Sequence, residues 1–177
     1  MRVVAGAVGG RRLAVPPGQR TRPTSELVRG AVFNSLVARG ELEDAVVADL
    51  FAGSGAVGIE ALSRGAARAV FVEQDRRVAA TITANLDALG LADRGRVVVG
   101  PVEAWEPEAV DVVLADPPYA WDGWAALLER LGRLDPPPLV VAESDRPVEA
   151  DGWVVVALQR HGGTVVSQLR PRGATRT

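Results

Sequence analysis

The sequence predicts an α/β domain in which helices cover both faces of a mostly parallel sheet. Short runs rich in Val alternate along the chain with segments of helical character. Strands that are apolar on both faces are typical of a parallel sheet covered on both sides. The chain has 177 residues and no long polar linker, which is about the length of one compact domain. We therefore expect a single folded unit, whose elements are considered in chain order.

Residues 1–22 predict a short, basic β-hairpin that extends the domain at its amino terminus. Two strand-like runs, RVVAG and RRLAV, are separated by Gly9 and Gly10. Paired glycines between two such runs favour a tight turn. The domain proper is then expected to comprise residues 23–177.

A helix is expected next, over about residues 24–39. Thr24 or Ser25 is a suitable N-cap because its side-chain oxygen can accept a hydrogen bond from the first helical N–H groups. Three apolar residues spaced by four share one face of this helix, namely Val28, Val32 and Leu36. That face is expected to pack on the sheet.

The following hundred residues alternate between strands and helices. Strands are expected at 45–51, 67–73, 96–100, 110–116 and 139–144. Helices are expected at 56–65, 75–90 and within 121–134. The last two segments, 153–159 and 163–170, are separated by a glycine-containing loop and predict an antiparallel hairpin that completes the sheet.

The composition excludes several kinds of chemistry. The chain has no Cys, which excludes disulfides, thiolate zinc sites, iron–sulfur clusters and cysteine nucleophiles. Every basic residue is Arg and none is Lys, which excludes a Schiff-base lysine and the lysine of a phosphate-binding loop. His161 is the only His, so several histidines cannot share a metal. Catalysis must use carboxylates, hydroxyls, Arg, backbone groups or a cofactor.

The chain carries no pattern of a membrane or secreted protein. No apolar run approaches the roughly 20 residues of a membrane-spanning helix. The amino terminus has neither the apolar stretch nor the cleavage site of a signal peptide. We therefore expect a cytoplasmic protein without a membrane partner.

Positive charge is concentrated at the two ends, although the net charge of the whole chain is −2. Residues 1–39 carry a net charge of +6 and residues 160–177 carry +4, whereas residues 40–159 carry −12. A local basic patch matters more for phosphate binding than the overall charge. The basic ends predict contact with nucleic acid, and the alternative is that they are solvated basic tails.

A glycine-rich loop follows the first parallel strand and contains Gly53, Gly55 and Gly58. Such a loop lets the backbone approach a ligand closely, next to the amino terminus of a helix. Glu73 ends the next strand, where its carboxylate can accept both ribose hydroxyls of an adenosine. The pattern fits a NAD(P) enzyme, another enzyme with an adenosine cofactor, or a turn that binds nothing.

Asp49, four residues before the first of these glycines, favours one of the alternatives. A carboxylate there would repel a pyrophosphate placed over the loop. It suits a cofactor that has a cationic amino-acid end and no phosphates, such as S-adenosylmethionine.

The tetrapeptide Asp116-Pro117-Pro118-Tyr119 follows the strand at 110–116, and so lies at the same sheet edge as the glycine loop. The prolines fix the backbone and remove two N–H groups, which leaves rigid carbonyl acceptors beside the Asp carboxylate. Tyr119 offers a flat face for stacking. Acceptors beside an aromatic face suit a flipped-out base with an exocyclic amino group, and a turn that merely ends the strand is the alternative.

Taken together, DLFAGSG, VFVEQD and DPPY resemble the class I S-adenosylmethionine methyltransferases that act on amino groups of bases. The amino-terminal runs RVVAGAVGGRRLAVP and RPTSELVRGAVFNSL are similar, more specifically, to the RsmD family of bacterial 16S rRNA guanine-N2 methyltransferases. This resemblance covers nearly the whole chain. It implies a Rossmann-like, seven-stranded sheet with an amino-terminal hairpin extension.

The resemblance also implies roles for individual residues. The S-adenosylmethionine site would be lined by Asp49, Phe51, Gly53 and Gly55, with Glu73 on the ribose and with Gln74 and the backbone of Val102 beside the adenine. The target guanine would be held by Asp116, Pro117 and Tyr119. The RNA would be contacted by Arg11, Arg12, Arg20, Arg22 and Thr24. The expected partner is 16S rRNA in the small ribosomal subunit or a late assembly intermediate, bound by a monomer.

Three other functions remain open at this point. One is adenine-N6 methylation of DNA or RNA, although the chain has no segment long enough for a separate target-recognition domain. Another is a nicotinamide-dependent oxidoreductase, against which Asp49 and the absence of Lys argue. The third is a non-catalytic RNA-binding or assembly factor. His161 is expected at the surface or in packing, and Trp121 in the core or at the rim of the base pocket.

Overall fold

The computed structural model describes residues 1–16 and 23–173. Within these residues the strands are β1 Val46–Leu50, β2 Arg68–Glu73, β3 Gly95–Val99, β4 Val112–Ala115, β5 Leu139–Ser144, β6 Trp153–His161 and β7 Thr164–Pro171. They form one sheet in the order β3-β2-β1-β4-β5-β7-β6. The first five strands are parallel, and β7 runs antiparallel between β5 and β6. The predicted mostly parallel sheet with a carboxyl-terminal antiparallel hairpin is confirmed.

The α-helices within the described residues are α1 Pro23–Ala38, α2 Ala56–Ser63, α3 Arg76–Leu89 and α4 Trp124–Leu131. Helix α1 begins at Pro23, a residue favoured at the first helical position. The predicted N-caps Thr24 and Ser25 therefore lie inside the helix, which corrects the sequence-based expectation. In the described part of the chain, no helix has both the length and the apolar character needed to cross a membrane.

Side chains that alternate along the buried strands fill a core on each face of the sheet. On one face α1 and α2 contribute large buried residues such as Phe33 and Ile59. On the other face α4 contributes Leu128 and Leu131. Burial of an apolar side chain of this size stabilises the fold by about 1.5–3 kcal/mol. This two-sided burial explains why the central strands are continuous apolar runs in the sequence.

The order of the strands creates a crevice between β1 and β4. Strand β2 lies on one side of β1, whereas β4 lies on the other. The connections that follow β1 and β4 therefore diverge, which leaves an opening at the carboxyl edge of the sheet. The glycine loop follows β1, and the tetrapeptide 116–119, called the Asp116 motif below, follows β4. The topology therefore places both at this opening.

The amino-terminal hairpin is present in a short form. Arg2 and Arg12 make a single antiparallel bridge, and the N–H of Val3 donates to the carbonyl of Arg11 at 3.0 Å. Residues 2–5 and 11–13 do not form regular strands. Val3 is nevertheless fully buried in the same core as the helices, so the described part of this segment belongs to the packed domain.

The pairing is short because α2 takes up the next backbone donors. The N–H groups of Val4 and Ala5 donate to the carboxylate of Glu60 at 2.7 and 3.1 Å. The same carboxylate is fully buried and makes ion pairs with Arg64 at 2.6 Å and with Arg29 at 3.5 Å. Glu60 therefore joins α1, α2 and the amino-terminal segment.

Candidate active site

A cleft of about 900 Å³ lies at the carboxyl edge of the sheet. Residues at or just beyond the ends of β1, β2, β3, β4 and β5 line it, together with the turn between β6 and β7. Eight residues singled out from the sequence are among them, namely Phe51, Gly53, Glu73, Gln74, Val102, Asp116, Pro117 and Tyr119. The structure thus brings the expected cofactor residues and the expected base-binding residues to one cavity.

The glycine loop turns sharply at the mouth of this cleft. Phe51 and Gly53 both have left-handed backbone angles, with φ of 60° and 55°. This conformation is uncommon for a residue with a side chain. The Phe51 ring packs edge-on against Trp121, with the ring centroids 5.0 Å apart. At Gly58 a Cβ would lie 2.3 Å from the Phe71 ring, so the close approach of α2 to β2 requires glycine.

The N–H groups of the three motif glycines all bind the protein itself. Gly53 donates to Glu73 at 2.9 Å, and Gly58 donates to Asp49 at 2.8 Å. Gly55 donates to a carbonyl within the loop at 2.8 Å. Because these donors are already occupied, they are not available to cradle a pyrophosphate. The contact from Gly53 also holds the Glu73 carboxylate at the cleft wall.

Asp49 and Gly55 do not line the cleft, although the resemblance places both at the cofactor. Asp49 is buried beneath the loop, where its carboxylate accepts the hydrogen bond from Gly58. Burial raises the pKa of Asp49 to about 8, against the opposing effect of this hydrogen bond. Gly55 faces α3, because a Cβ there would lie 2.9 Å from Ile82. Both residues therefore shape the loop from below.

Four carboxylates share one face of the sheet near its carboxyl edge: Asp49, Glu73, Asp116 and Glu143. Alternation along the strands puts Asp49, Asp116 and Glu143 on the face that α1 covers. Desolvation raises the pKa of Asp116 to about 6, even though its side chain opens into the cleft. Desolvation, with the charge of Asp116 adding to it, raises the pKa of Glu143 to about 7. These carboxyls favour a cationic ligand, which would relieve their repulsion.

The wall at the end of β3 is held in place by α4. Val102 lines the cleft at the start of a short 3-10 turn, Val102–Ala104. Arg130 of α4 donates to the carbonyls of Val102 and Glu103, each at 3.3 Å, and to that of Trp105. The indole N–H of Trp121 donates to the carboxylate of Glu103 at 2.7 Å. The loop expected beside the adenine and the loop after the Asp116 motif are therefore directly joined.

The Asp116 motif forms the opposite wall. Tyr119 is 52% exposed, and its hydroxyl lies 3.4 Å from the hydroxyl of Thr164 at the β6–β7 turn. The backbone N–H of Trp121 donates to the carbonyl of Pro118 at 2.8 Å, which closes a turn after the motif. An aromatic face open to solvent beside an accessible carboxylate is an arrangement that can hold an extruded base.

The amino-terminal segment contacts the glycine loop through Asn85 of α3, whose side chain is buried. Its amide oxygen accepts from the N–H of Ala14 at 2.8 Å. Its amide nitrogen donates to the carbonyls of Ala14 and Ser54, each at 3.0 Å. The Ser54 hydroxyl in turn contacts the Met1 sulfur at 3.3 Å. One buried amide thus links this segment to the loop.

The residues expected to contact RNA are only partly within the described chain. Arg11 and Arg12 are exposed, and Arg11 donates to a carbonyl near the end of α3 at 3.2 Å. Arg20 and Arg22 lie outside the described residues. Thr24 lies within α1, but its side chain is outside the described part.

Several cleft residues were not assigned a role from the sequence: Glu143, Met1, Val28, His161 and Thr164. Glu143 is the penultimate residue of a strand expected from the sequence, but its place in the cleft depends on the pairing of β5 with β4. Met1 and Val28 reach the cleft only through the docking of the amino-terminal segment and α1. His161 was expected at the surface or in packing, and the structure places it in the cleft lining.

Comparison with protein families gives one match. The family model described as "Conserved hypothetical protein 95" matches residues 1–169. The YlbH protein of Bacillus subtilis is 34% identical over an alignment of 187 positions that covers 98% of this chain and 100% of that relative. The "Ribosomal RNA small subunit methyltransferase D" of Escherichia coli K12 is 37% identical over an alignment of 151 positions that covers 82% of this chain and 75% of the relative.

Comparison with solved structures gives similar folds. The yhhF protein of Escherichia coli superposes with a TM-score of 0.79 at 29% identity, covering 98% of this chain and 99% of that one. An RNA methyltransferase of Salinibacter ruber in complex with S-adenosyl-L-homocysteine gives 0.66 at 20% identity, over 90% and 98% of the two chains. The latter likeness concerns the fold.

Proposed function

We propose that this chain, which belongs to the RsmD family, is an S-adenosylmethionine-dependent rRNA methyltransferase that modifies the exocyclic N2 of a guanine in 16S rRNA. The substrate is the small ribosomal subunit or a late assembly intermediate, and the protein acts as a monomer. The name of the Escherichia coli relative supports an rRNA substrate. The observation that carries the proposal is the single cleft shared by Glu73 and Asp116.

The charge of the cleft supports S-adenosylmethionine as the donor. The amino-acid end of this molecule carries an ammonium, and its sulfur is a cationic sulfonium. Glu73, Asp116 and Glu143 line the cleft, and the repulsion between Asp116 and Glu143 falls when a cation binds beside them. Glu73 is held by the N–H groups of Gly53 and Asp75 with its carboxylate at the cleft, where it can accept ribose hydroxyls. Gln74 and the Val102 backbone would flank the adenine.

The same features argue against a nicotinamide cofactor. A dinucleotide places its pyrophosphate on free N–H groups of the glycine loop. In this chain the N–H groups of Gly53, Gly55 and Gly58 are already bound to protein acceptors. Two phosphates would also add negative charge beside a group of carboxylates. Calorimetry with S-adenosylmethionine and with NADH is expected to give binding for the first alone.

The Asp116 motif supports methylation of an amino group. The Asp116 carboxylate and the Pro117 carbonyl can accept the two amino hydrogens while the ring stacks on Tyr119. These contacts oppose the delocalisation of the nitrogen lone pair and stabilise the positive charge that develops on nitrogen. When bound, the donor supplies its methyl: the nitrogen lone pair forms the N–C bond as the C–S electron pair leaves to sulfur. Asp116 then accepts the surplus proton and releases it to water.

The test is incubation of the protein and labelled S-adenosylmethionine with small subunits from cells that lack this protein. We expect N2-methylguanine in the digested 16S rRNA. N6-methyladenine instead would transfer the assignment to the adenine-modifying enzymes.

Asp116→Ala separates catalysis from binding. We expect a loss of turnover of about 100- to 1,000-fold, as for other preorganised electrostatic contacts, with subunit binding retained. Full activity of this variant would refute the role of Asp116. Subunit binding by the wild type without any methyl transfer would favour a non-catalytic binding protein.

A further inference from the structure

Glu143 is the penultimate residue of β5 and lies beside Asp116. Strands β4 and β5 are parallel neighbours with Ala115 opposite Ala142. Asp116 directly follows β4 and Glu143 is the next residue of β5, so continuing this register by one residue places the two opposite one another. Neighbouring strands are about 4.8 Å apart, and both residues continue the same alternation, which points them to the same face. Both line the cleft that contains the Tyr119 face.

Neither carboxylate has a hydrogen-bond donor among the described residues. The hydrogen bonds and ion pairs of the described chain place partners on Asp49, Glu60 and Glu73, but none on the side chains of Asp116 or Glu143. Asp116 is exposed to the cleft and Glu143 is half-buried, so a ligand that displaces water from them must supply hydrogen-bond donors in its place. The raised pKa of Glu143 has the same origin, since desolvation and the neighbouring Asp116 oppose its charge. The cleft therefore offers two adjacent acceptors to whatever lies on Tyr119.

Guanine and adenine differ in what they present to two such acceptors. On its Watson–Crick edge guanine has two adjacent donors, the N1–H and the N2 amino group. Adenine has one amino donor, and its N1 is an acceptor. A single carboxylate at the amino group cannot distinguish these bases. A second carboxylate at N1 can, because it would bind the N1–H of guanine and face the N1 lone pair of adenine.

We propose that Glu143 is the residue that selects the base, by accepting the N1–H of the target guanine while Asp116 and Pro117 hold its amino group. This inference rests on the proposed methylation of guanine N2 and names how guanine is recognised. Glu143 contacts the base edge away from the migrating methyl group. Its loss therefore affects the choice of base more than the chemical step at N2.

The test uses 2-aminopurine, which keeps the amino group at position 2 but has an acceptor at N1. Small subunits are reconstituted from splint-ligated 16S rRNA carrying either guanine or 2-aminopurine at the methylated position. The ratio of kcat/KM for the two substrates is measured for the wild type, Glu143→Gln, Glu143→Asp and Glu106→Gln. Glu106 is exposed and does not line the cleft, so its variant removes the same charge elsewhere.

We expect the wild type and Glu106→Gln to prefer guanine by about 100-fold or more, since a site built for a donor rejects a base that lacks it. The side-chain amide introduced by Glu143→Gln can turn to accept from guanine or to donate to 2-aminopurine. The preference of Glu143→Gln should therefore fall by at least about 10-fold, with a loss on guanine of about 10- to 100-fold. Glu143→Asp keeps a carboxylate and should keep the direction of the preference at a lower rate.

Two results would overturn the inference. One is an unchanged ratio in Glu143→Gln, whether or not its rate on guanine falls. The other is an equal fall of the ratio in Glu106→Gln. Both leave guanine methylation by the wild type intact, whereas a wild type that does not methylate guanine-containing subunits would overturn the proposed function itself. Thermal unfolding and calorimetry with S-adenosylmethionine establish that each variant is folded.

Discussion

Desolvation by the surrounding protein raises the pKa values of Asp49, which is completely buried, and of Asp116 and Glu143, which lie at the wall of the open cleft. The three carboxyls differ in what offsets the free-energy cost of their ionised form. Asp49 keeps a hydrogen bond from Gly58 and stays buried, whereas Asp116 and Glu143 face the cleft. Their ionisation therefore affects stability in the first case and ligand binding in the other two.

The first prediction concerns Asp49 and the stability of the protein without ligand. Its pKa is about 8 in the folded protein, above the ordinary value of 3.8, so the folded state holds a proton that the unfolded state releases. The contribution of Asp49 to the free energy of unfolding is therefore complete below about pH 4 and decreases as the pH rises towards 8. Each pH unit in that window weakens folding by up to about 1.4 kcal/mol, or about 3 °C in Tm.

Asp49→Asn should flatten this decline, because the amide oxygen can still accept from Gly58 and carries no charge. Melting curves between pH 5 and 9 measure it, and Asp87→Asn on the exposed side of α3 is the control. Parallel pH profiles of wild type and Asp49→Asn would contradict the prediction.

The second prediction is the pH dependence of activity. Asp116 and Glu143 accept hydrogen bonds from the base most strongly when ionised, and their pKa values are about 6 and 7. We expect kcat/KM to rise between pH 6 and 8, with apparent values that belong to the pair. A bound cationic donor favours the ionised forms, so the kcat profile should lie at lower pH than that of kcat/KM. Glu143→Gln should remove the upper part of the rise, and a wild-type profile that is flat from pH 6 to 8 would rule out this explanation.

At the scale of elements, the amino-terminal segment, α1 and α2 depend on one side chain. Glu60 is fully buried, pairs with Arg29 and Arg64, and accepts the N–H groups of Val4 and Ala5. Removing one partner from a buried ion pair is costly because the remaining charge stays buried without compensation. This cluster therefore fixes where the segment enters the domain.

The third prediction is that Glu60→Gln lowers the free energy of unfolding by about 3–5 kcal/mol. It should also expose residues 1–16 to proteolysis under native conditions. Urea denaturation and limited digestion measure the two effects. Glu129→Gln is the matched control, because Glu129 is an exposed residue paired only with Arg133 among the described residues. Glu129→Gln should change the free energy of unfolding by less than about 0.5 kcal/mol. An equally small effect of Glu60→Gln would contradict the prediction and would show that water replaces the ion pairs.

Over the whole molecule, charge is divided between a negative body and positive ends. Residues 1–39 are strongly basic, and the cleft is lined by carboxylates. An acidic cleft repels the phosphates of RNA, while basic residues outside it attract them. This division suits a protein that binds the backbone beside the cleft and admits only a base into it.

The fourth prediction follows from that division. Replacing both Arg11 and Arg12 by Ala should weaken binding to small subunits. It should also reduce the slope of log Kd against log salt concentration by about 1–1.5, because each lost phosphate contact on single-stranded RNA lowers this slope by about 0.7. S-adenosylmethionine binding should stay unchanged. Arg133→Ala removes an exposed arginine just after α4 and serves as the control. A salt slope equal to that of the wild type would mean that the two arginines do not contact phosphates.

The sequence predicted the strands, helices and carboxyl-terminal hairpin because local periodicity and turn residues determine them. It also placed the glycine loop and the Asp116 motif at one edge, since parallel topology requires it. Glu143 was missed because its significance depends on the register of β4 with β5, which local pattern does not give. The position of Asp49 beneath the loop likewise depends on three-dimensional packing.

Asn85 binds Ala14 with both ends of its amide and Ser54 with one. Residues 1–16 are therefore no detachable tail. Cutting them away to obtain a smaller enzyme would strand a buried amide and loosen the backbone of the loop that faces the cofactor cleft. A shortened protein that fails to bind its cofactor would report a damaged loop rather than a missing RNA contact.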